Sequence, residues 1–265
     1  MTSESIKACC AELYASDLAR ELLGDSMHPG GLALTGRLGT LLGLSPESHV
    51  LDLAAGRGAS ALYLASRFGC QVLGVDYSAA NVGLAQRTAK EEGLANLVRF
   101  QQGDAEHLAE FTDASFDAVI CECAFCTFPD KRSAMREIAR VLRPGGRLGL
   151  SDLTRHGPLP EELQGLLAWI ACIGDALPID AFVAQCKAAG LAVEQVEEND
   201  DSLAEMVREI RRRLMGTRLL VSISQLELPG VDWPRISGMA RCAVQAVEDG
   251  ILGYALIVAA KPSPQ

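Results

Sequence analysis

The chain has 265 residues, 49% of them hydrophobic, enough for the core of one large α/β domain or of a domain with an appendage. A formal net charge of −10, from 24 basic and 34 acidic residues, would repel a phosphate backbone and argues against nucleic acid as a partner. No apolar run approaches the roughly 20 residues that span a bilayer, and MTSESIKACC lacks the basic start and apolar stretch of a secretion signal, so a cytoplasmic chain without a membrane partner is expected.

The run HVLDLAAG reads as the first strand, followed by a helix from Ala59 to Phe68. CQVLGVD is the second strand and SAANVGLAQRTAKEEG the second helix of this series, with LVRFQQGD as the third strand. FDAVICE has the continuous apolar character of a central buried strand. SAMREIARVL is an amphipathic helix closed by RPGG, and RLGLSDL is the next strand. Beyond it ELQGLLAWIACIGDAL and AFVAQCKAAG read as helices, and LAVEQVEEN as a strand. SLAEMVREIRRRLM carries Leu203, Val207, Ile210 and Leu214 at helical spacing, while Arg208, Arg211, Arg212, Arg213 and Arg218 read as a solvated face. GYALIVAAKP returns to the sheet as the last strand, which makes residues 200–249 a helical insertion. Alternating strands and helices predict an α/β sheet flanked by helices. The expected division is an N-terminal helical cover over residues 1–45 and one domain over residues 46–265.

In LDLAAGRGAS a strand ends in Asp52, turns through Gly56 and Gly58, and opens a helix whose N-terminus presents donors to a ligand. GVD ends the second strand in Asp76, where a carboxylate can accept from two ribose hydroxyls, and QGDAE places Asp104 after the third. A dinucleotide-binding loop needs G-x-G-x-x-G, whereas AAGRGASA has only two glycines at another spacing. CECAFC places Cys121, Cys123 and Cys126 at the end of the fourth strand, with Glu122 between two of them. One C-x-x-C spacing is a weak zinc signal, and buried packing is a real alternative for Cys121 and Cys126. Nine cysteines in a reducing compartment read as free thiols or thiols used in chemistry. His28, before Pro-Gly, reads as a turn residue or as one that covers the cofactor or takes a proton; Tyr14 either closes the site or packs; His49, His107 and His156 read as surface or structural residues.

LDLAAGRG, GVD, GDAE, FDAVI and RVLRPGG together resemble the class I S-adenosylmethionine-dependent methyltransferases, from about Val50 to Asp152. The resemblance implies a Rossmann-like sheet and S-adenosyl-L-methionine as cofactor. It puts Asp52, Ala54, Gly56 and Gly58 on the methionine side, Asp76 and Tyr77 at the ribose, Asp104 and Ala105 at the adenine, and Glu122 beside the cofactor. Ala54 replaces the family's first loop glycine and fits such a turn with a negative φ. VICECAFCTFPDK and the later WIACIGDAL further resemble the arsenite methyltransferase branch. That resemblance implies a trivalent metalloid substrate on Cys123 and Cys172, since soft metalloids favour thiolate ligands. LLGDSMHPGGLALT departs from that branch. The alternatives are an organic metabolite methylated at C, N, O or S, with Glu122 as orienting group or base, and a thiol-rich binder without catalysis. The N-terminal segment and the insertion are expected to cover the acceptor.

Overall fold

The computed structural model describes residues 3–24, 26–164, 172–223 and 232–263. Three N-terminal helices, α1 (Ser3–Ala15), α2 (Asp17–Leu23) and α3 (Gly31–Leu41), precede the sheet. The strands are β1 (His49–Leu53), β2 (Gln71–Asp76), β3 (Val98–Gln102), β4 (Phe116–Glu122), β5 (Leu142–Arg155), β6 (Ala192–Glu198) and β7 (Leu252–Ala260). Between them run α4 (Ala59–Phe68), α5 (Ala79–Glu91), α6 (Lys131–Val141), α7 (Ile179–Ala188), α8 (Asp200–Ile223) and α9 (Trp233–Glu248). The strands stand in the order β3-β2-β1-β4-β5-β7-β6. β1 to β5 pair in parallel, and β7 inserts antiparallel between β5 and β6.

Strand alternation divides the core between the two faces of this sheet. Val50, Ala118, Ile120, Tyr254 and Leu256 face a cluster built with Leu38 of α3, Ala61 of α4, Val82 of α5 and Ala243 of α9. Their neighbours Leu51, Val119, Cys121 and Ile257 face Met135 and Ile138 of α6 and Phe182 of α7. Burying each large side chain contributes about 1.5–3 kcal/mol. The central strands are covered on both sides, which accounts for the continuous apolar run FDAVI.

Local capping fixes where the helices around the cleft begin. Ser78 accepts the Asn81 backbone N–H at 3.3 Å, Asp130 that of Ser133 at 2.9 Å, and Asp232 that of Arg235 at 3.0 Å.

Two sequence expectations change. RPGG lies inside a continuous β5: Leu142 is already extended after α6, and Gly145 bends the chain at φ 79 while its N–H donates to Lys261 O at 2.8 Å. The helix expected over ELQGLLAWIACIGDAL has its centre, residues 165–171, outside the described residues; before it Glu161–Leu163 form a single 3-10 turn, and Cys172 is in a turn.

Candidate active site

Strand order reverses between β1 and β4, and a crevice opens beyond the carboxyl ends of parallel strands at such a point. A cleft with about 1110 Å³ of empty space lies there, walled on one side by α1. Asp52, Ala54, Gly56, Asp76, Tyr77, Asp104, Ala105, Glu122 and Cys123 all line it. Gly58 is not among the lining residues: its φ of 87 starts α4, and a Cβ would come 2.5 Å from the Phe100 ring. Gly56, at φ 55, has no atom within 4 Å of where a Cβ would stand, so the backbone there faces open space. The negative φ under which alanine would be tolerated at Ala54 is not met: φ is 56, in the left-handed region that costs a non-glycine residue energy. The Ala55 N–H bond to Val75 O, 3.0 Å, ties the next residue of this turn to β2.

The three acidic strand ends occupy different environments. Asp52 is buried and its Oδ2 has no hydrogen-bond partner; burial, then the Glu122 and Asp76 carboxylates, pushes its pKa well above the usual range. Asp76 Oδ2 accepts from Gly56 N at 2.8 Å, and Oδ1 from Ser78 N at 2.8 Å and Asn81 Nδ2 at 3.2 Å. Burial raises its pKa against the opposing effect of these donors. Asp104 Oδ2 accepts from Lys7 Nζ at 2.7 Å, and Oδ1 from Glu106 N at 3.0 Å. Burial works to raise the Asp104 pKa, but the Lys7 and backbone hydrogen bonds hold it below the usual carboxylate range. Lys7 also pairs with Glu106. Arg57 clamps the other end of α1, donating to Ala15 O at 2.7 Å and Asp17 Oδ1 at 3.0 Å. Among the described residues, four buried side-chain atoms lack hydrogen-bond partners, and three belong to cleft-lining Asp52, Arg57 and Asn81. A charged, polar ligand fits this orphaned set better than an apolar one.

Glu122 is fixed from three directions. Its Oε2 accepts from Thr35 Oγ1 at 3.0 Å and Ser60 Oγ at 2.6 Å, and its Oε1 from Ser151 Oγ at 3.4 Å. His28 is more than a turn residue: it is buried, lines the cleft, and has Nε2 3.8 Å from Glu122 Oε2.

The cysteines of CECAFC separate by face. Cys121 points into the α6 side of the core, a packing position. Alternation would send Cys123 after it, but a left-handed φ of 51 turns the chain, and Cys123 packs with Cys126 and Cys172 on the opposite side. Cys172, 49 residues further on, is also left-handed, at φ 64. Its Sγ lies 3.3 Å from Cys123 O and 3.3 Å from Tyr14 Oη. Hydrogen bonds from the Cys123 and Cys126 thiols and from Tyr14, with Lys131 nearby, hold the Cys172 pKa well below the ordinary thiol value. The Cys123 pKa rises, chiefly because it donates to Cys172 and secondarily by burial. Cys126 anchors the same turn, donating its N–H to Asp152 Oδ2 at 2.8 Å.

A second cleft, with about 1090 Å³ of empty space, meets the first at Tyr14, Met27 and Cys123. Leu153, Ile173, Leu203, Val207, Ile210 and Met239 make its walls predominantly apolar. Sequence reading missed Lys7 and Arg57 as cleft residues: docking of α1 brings Lys7 to Asp104, and Arg57, in the turn before α4, reaches back to the end of α1.

Residues 51–150 match the model of a methyltransferase domain family. The chain is 28% identical to the methyltransferase GfsG of Streptomyces halstedii over 94% of this chain and 91% of that protein. It is 35% identical to an arsenite methyltransferase of Aquipseudomonas alcaligenes over 62% of this chain and 51% of that relative. The fold is similar to that of the [4+2]-cyclase SpnF, with a TM-score of 0.80 at 22% identity over 100% of this chain and 98% of the other. It is also similar to a Haemonchus contortus phosphoethanolamine N-methyltransferase 2 in complex with S-adenosyl-L-methionine, with a TM-score of 0.75 at 23% identity over 96% of this chain and 57% of the other. Residues 51–150 carry a class I S-adenosylmethionine-dependent methyltransferase domain.

Proposed function

We propose that the chain methylates a thiophilic acceptor, arsenite or a similar soft centre, held by Cys123 and Cys172. The observation that carries this reading is the meeting of these thiols at the mouth between the two clefts, each on a left-handed backbone. Non-glycine residues keep such a conformation only where the surrounding structure enforces it, and they concentrate at functional sites. Partial similarity to arsenite methyltransferases supports the same acceptor class.

When bound, S-adenosylmethionine supplies an electrophilic methyl group whose transfer leaves a neutral thioether. Asp52, with an unpaired oxygen, would take the amino group of its methionine part beside Ala54 and Gly56, and the one remaining lone pair of Asp76, on Oδ2, would take a ribose hydroxyl near Tyr77. Asp104, fixed by Lys7, borders the adenine with Ala105. Cys172, as the thiolate, displaces one hydroxide ion from the acceptor, and Cys123 displaces a second, its thiol proton leaving with that hydroxide as water. The metalloid keeps a lone pair for attack. Cys126 and Tyr14 steady the thiolate before the acceptor arrives. Alignment of donor and acceptor is worth up to about 7–11 kcal/mol of barrier, and a lone-pair acceptor needs no base. Residues 1–45 serve as a helical cover on a methyltransferase domain of residues 46–265, and α1 excludes water from the reacting atoms.

Arsenite titration of the reduced protein tests the ligand assignment. Thiol–metalloid charge-transfer absorption is expected in the wild type and strongly reduced in Cys123→Ser and Cys172→Ser, with cofactor affinity unchanged. Normal arsenite absorption in both variants overturns the assignment.

The second cleft favours one other reading, an organic acceptor with a bulky apolar body seated among Leu203, Val207 and Met239. His28 and Glu122 then become the groups for moving a proton. Full turnover of such an acceptor by both serine variants supports it over the first.

A further inference from the structure

Outside both clefts, a second set of side chains converges at the root of the α8–α9 insertion. Thr154 and His156 lie at the end of β5, Glu198 ends β6, and Asp200 begins α8. Ligand atoms of His156, Glu198 and Asp200 all lie within 4.8 Å of one another, with no ion pair joining His156 to either carboxylate among the described residues. Gly253 of β7 leaves the space they surround. A Cβ on it would come 2.5 Å from Asp200 Oδ1, 2.9 Å from Thr154 Oγ1 and 3.0 Å from His156 Nε2.

Thr154 points independently to a ligand. It is 1% exposed, and its Oγ1 is the fourth buried atom without a hydrogen-bond partner, the one outside the cofactor cleft. A buried hydroxyl left unsatisfied costs about 1–3 kcal/mol, so one that borders the same gap as Asp200 Oδ1 and His156 Nε2 calls for a partner. Asp200 is already oriented, since its Oδ1 accepts the Tyr254 N–H at 2.9 Å.

We propose that Thr154, His156, Glu198 and Asp200 bind a divalent cation of the manganese class, His156 being a ligand and not merely a surface residue. Two carboxylates, one imidazole and a hydroxyl are hard to borderline donors, which suit Mn2+ or Fe2+ better than a thiolate-seeking ion. In octahedral coordination at about 2.1 Å, opposite ligands stand about 4.2 Å apart, close to the spacing present before an ion draws them in. The ion would tie β5, β6 and the first turn of α8 together. It would thereby set the position of Leu203, Val207 and Ile210, which wall the apolar cleft. It takes no part in methyl transfer.

Titration of the full-length protein with Mn2+ alone tests this, reading loss of the free aqua-ion resonance by electron paramagnetic resonance and Tm in parallel. Mn2+ does not compete well for the cysteine cluster, which keeps the two sites separate. One bound ion and a Tm that rises with Mn2+ are expected. His156→Gln and Glu198→Gln, both at exposed side chains, should weaken binding at least about tenfold, the lower end of what even outer-shell changes cost. Each should abolish the Mn2+-dependent rise in Tm while leaving the metal-free Tm unchanged. His107→Gln, in the separate Asp104–Glu106–His107 group, should bind as the wild type does. Absence of bound Mn2+ in the wild type, or equal affinity in His156→Gln and Glu198→Gln, overturns the proposal.

Discussion

Met27, Ala54, Cys123 and Cys172 hold positive φ angles and line one or both clefts, while Ala114, the fifth such non-glycine residue among the described residues, lies outside them. Strain is therefore concentrated along the two clefts, and at Cys123 it has a direct structural result, because it reverses which side of the sheet the thiol faces. Cys172 should ionise first. The thiolate ultraviolet absorption that develops at the lowest pH is expected to vanish in Cys172→Ser, and in Tyr14→Phe to shift to higher pH as one donor is lost. Asp76→Ala should cost about 1–3 kcal/mol of cofactor affinity by calorimetry, since it leaves a ribose hydroxyl unserved. Unchanged affinity in a folded variant would remove Asp76 from the site. Burial, and then the charge of Cys172, pushes the carboxyl of Asp152 up to about 7. An unfolded aspartate titrates near about 3.9, so between roughly pH 4 and 7 the folded state holds the extra proton. The Asp152 contribution to stability is present below that window and is lost as pH rises through about 7. Urea midpoints against pH should therefore lose this downward slope in Asp152→Asn.

At the scale of elements, α1 is held over the cofactor cleft by polar clamps at its two ends, Lys7 to Asp104 and Glu106, and Arg57 to Ala15 and Asp17. Lys7→Met leaves two neighbouring carboxylates without their cation. It is expected to lower stability by about 1–3 kcal/mol and to speed proteolytic cutting in α1 and α2. Equal cutting rates would show that the clamp does not hold the helix. The strands and helices from His49 to Val141 were legible because their apolar periods and turn signals are strong and local, as in HVLDL followed by ASALYLASRF. RPGG reads in the sequence only as the close of α6, with the strand beginning after it, because proline and glycine punctuate most sequences. Here the glycine bend is absorbed into β5, held by Lys261 O from the chain after β7, a partner invisible at local range. The acidic strand ends were legible as cleft residues for the same local reason. Lys7, Arg57 and the role of His28 were not, since each depends on how the N-terminal helices dock.

For the whole molecule, the sheet divides labour between its two faces and its carboxyl edge. Cys121 packs under α6, whereas Cys123, Cys126 and Cys172 gather where a polar cleft and an apolar one meet. No helix among the described residues is long and apolar enough to cross a membrane. Transfer of labelled methyl from S-adenosylmethionine to arsenite, measured with the reduced wild type and with Cys123→Ser and Cys172→Ser, tests the assignment of acceptor and ligands together. A labelled methylarsenical from the wild type and none from either variant is the predicted result. Undiminished labelling by both variants, or no label on arsenite while a bulky apolar acceptor is methylated, would contradict it.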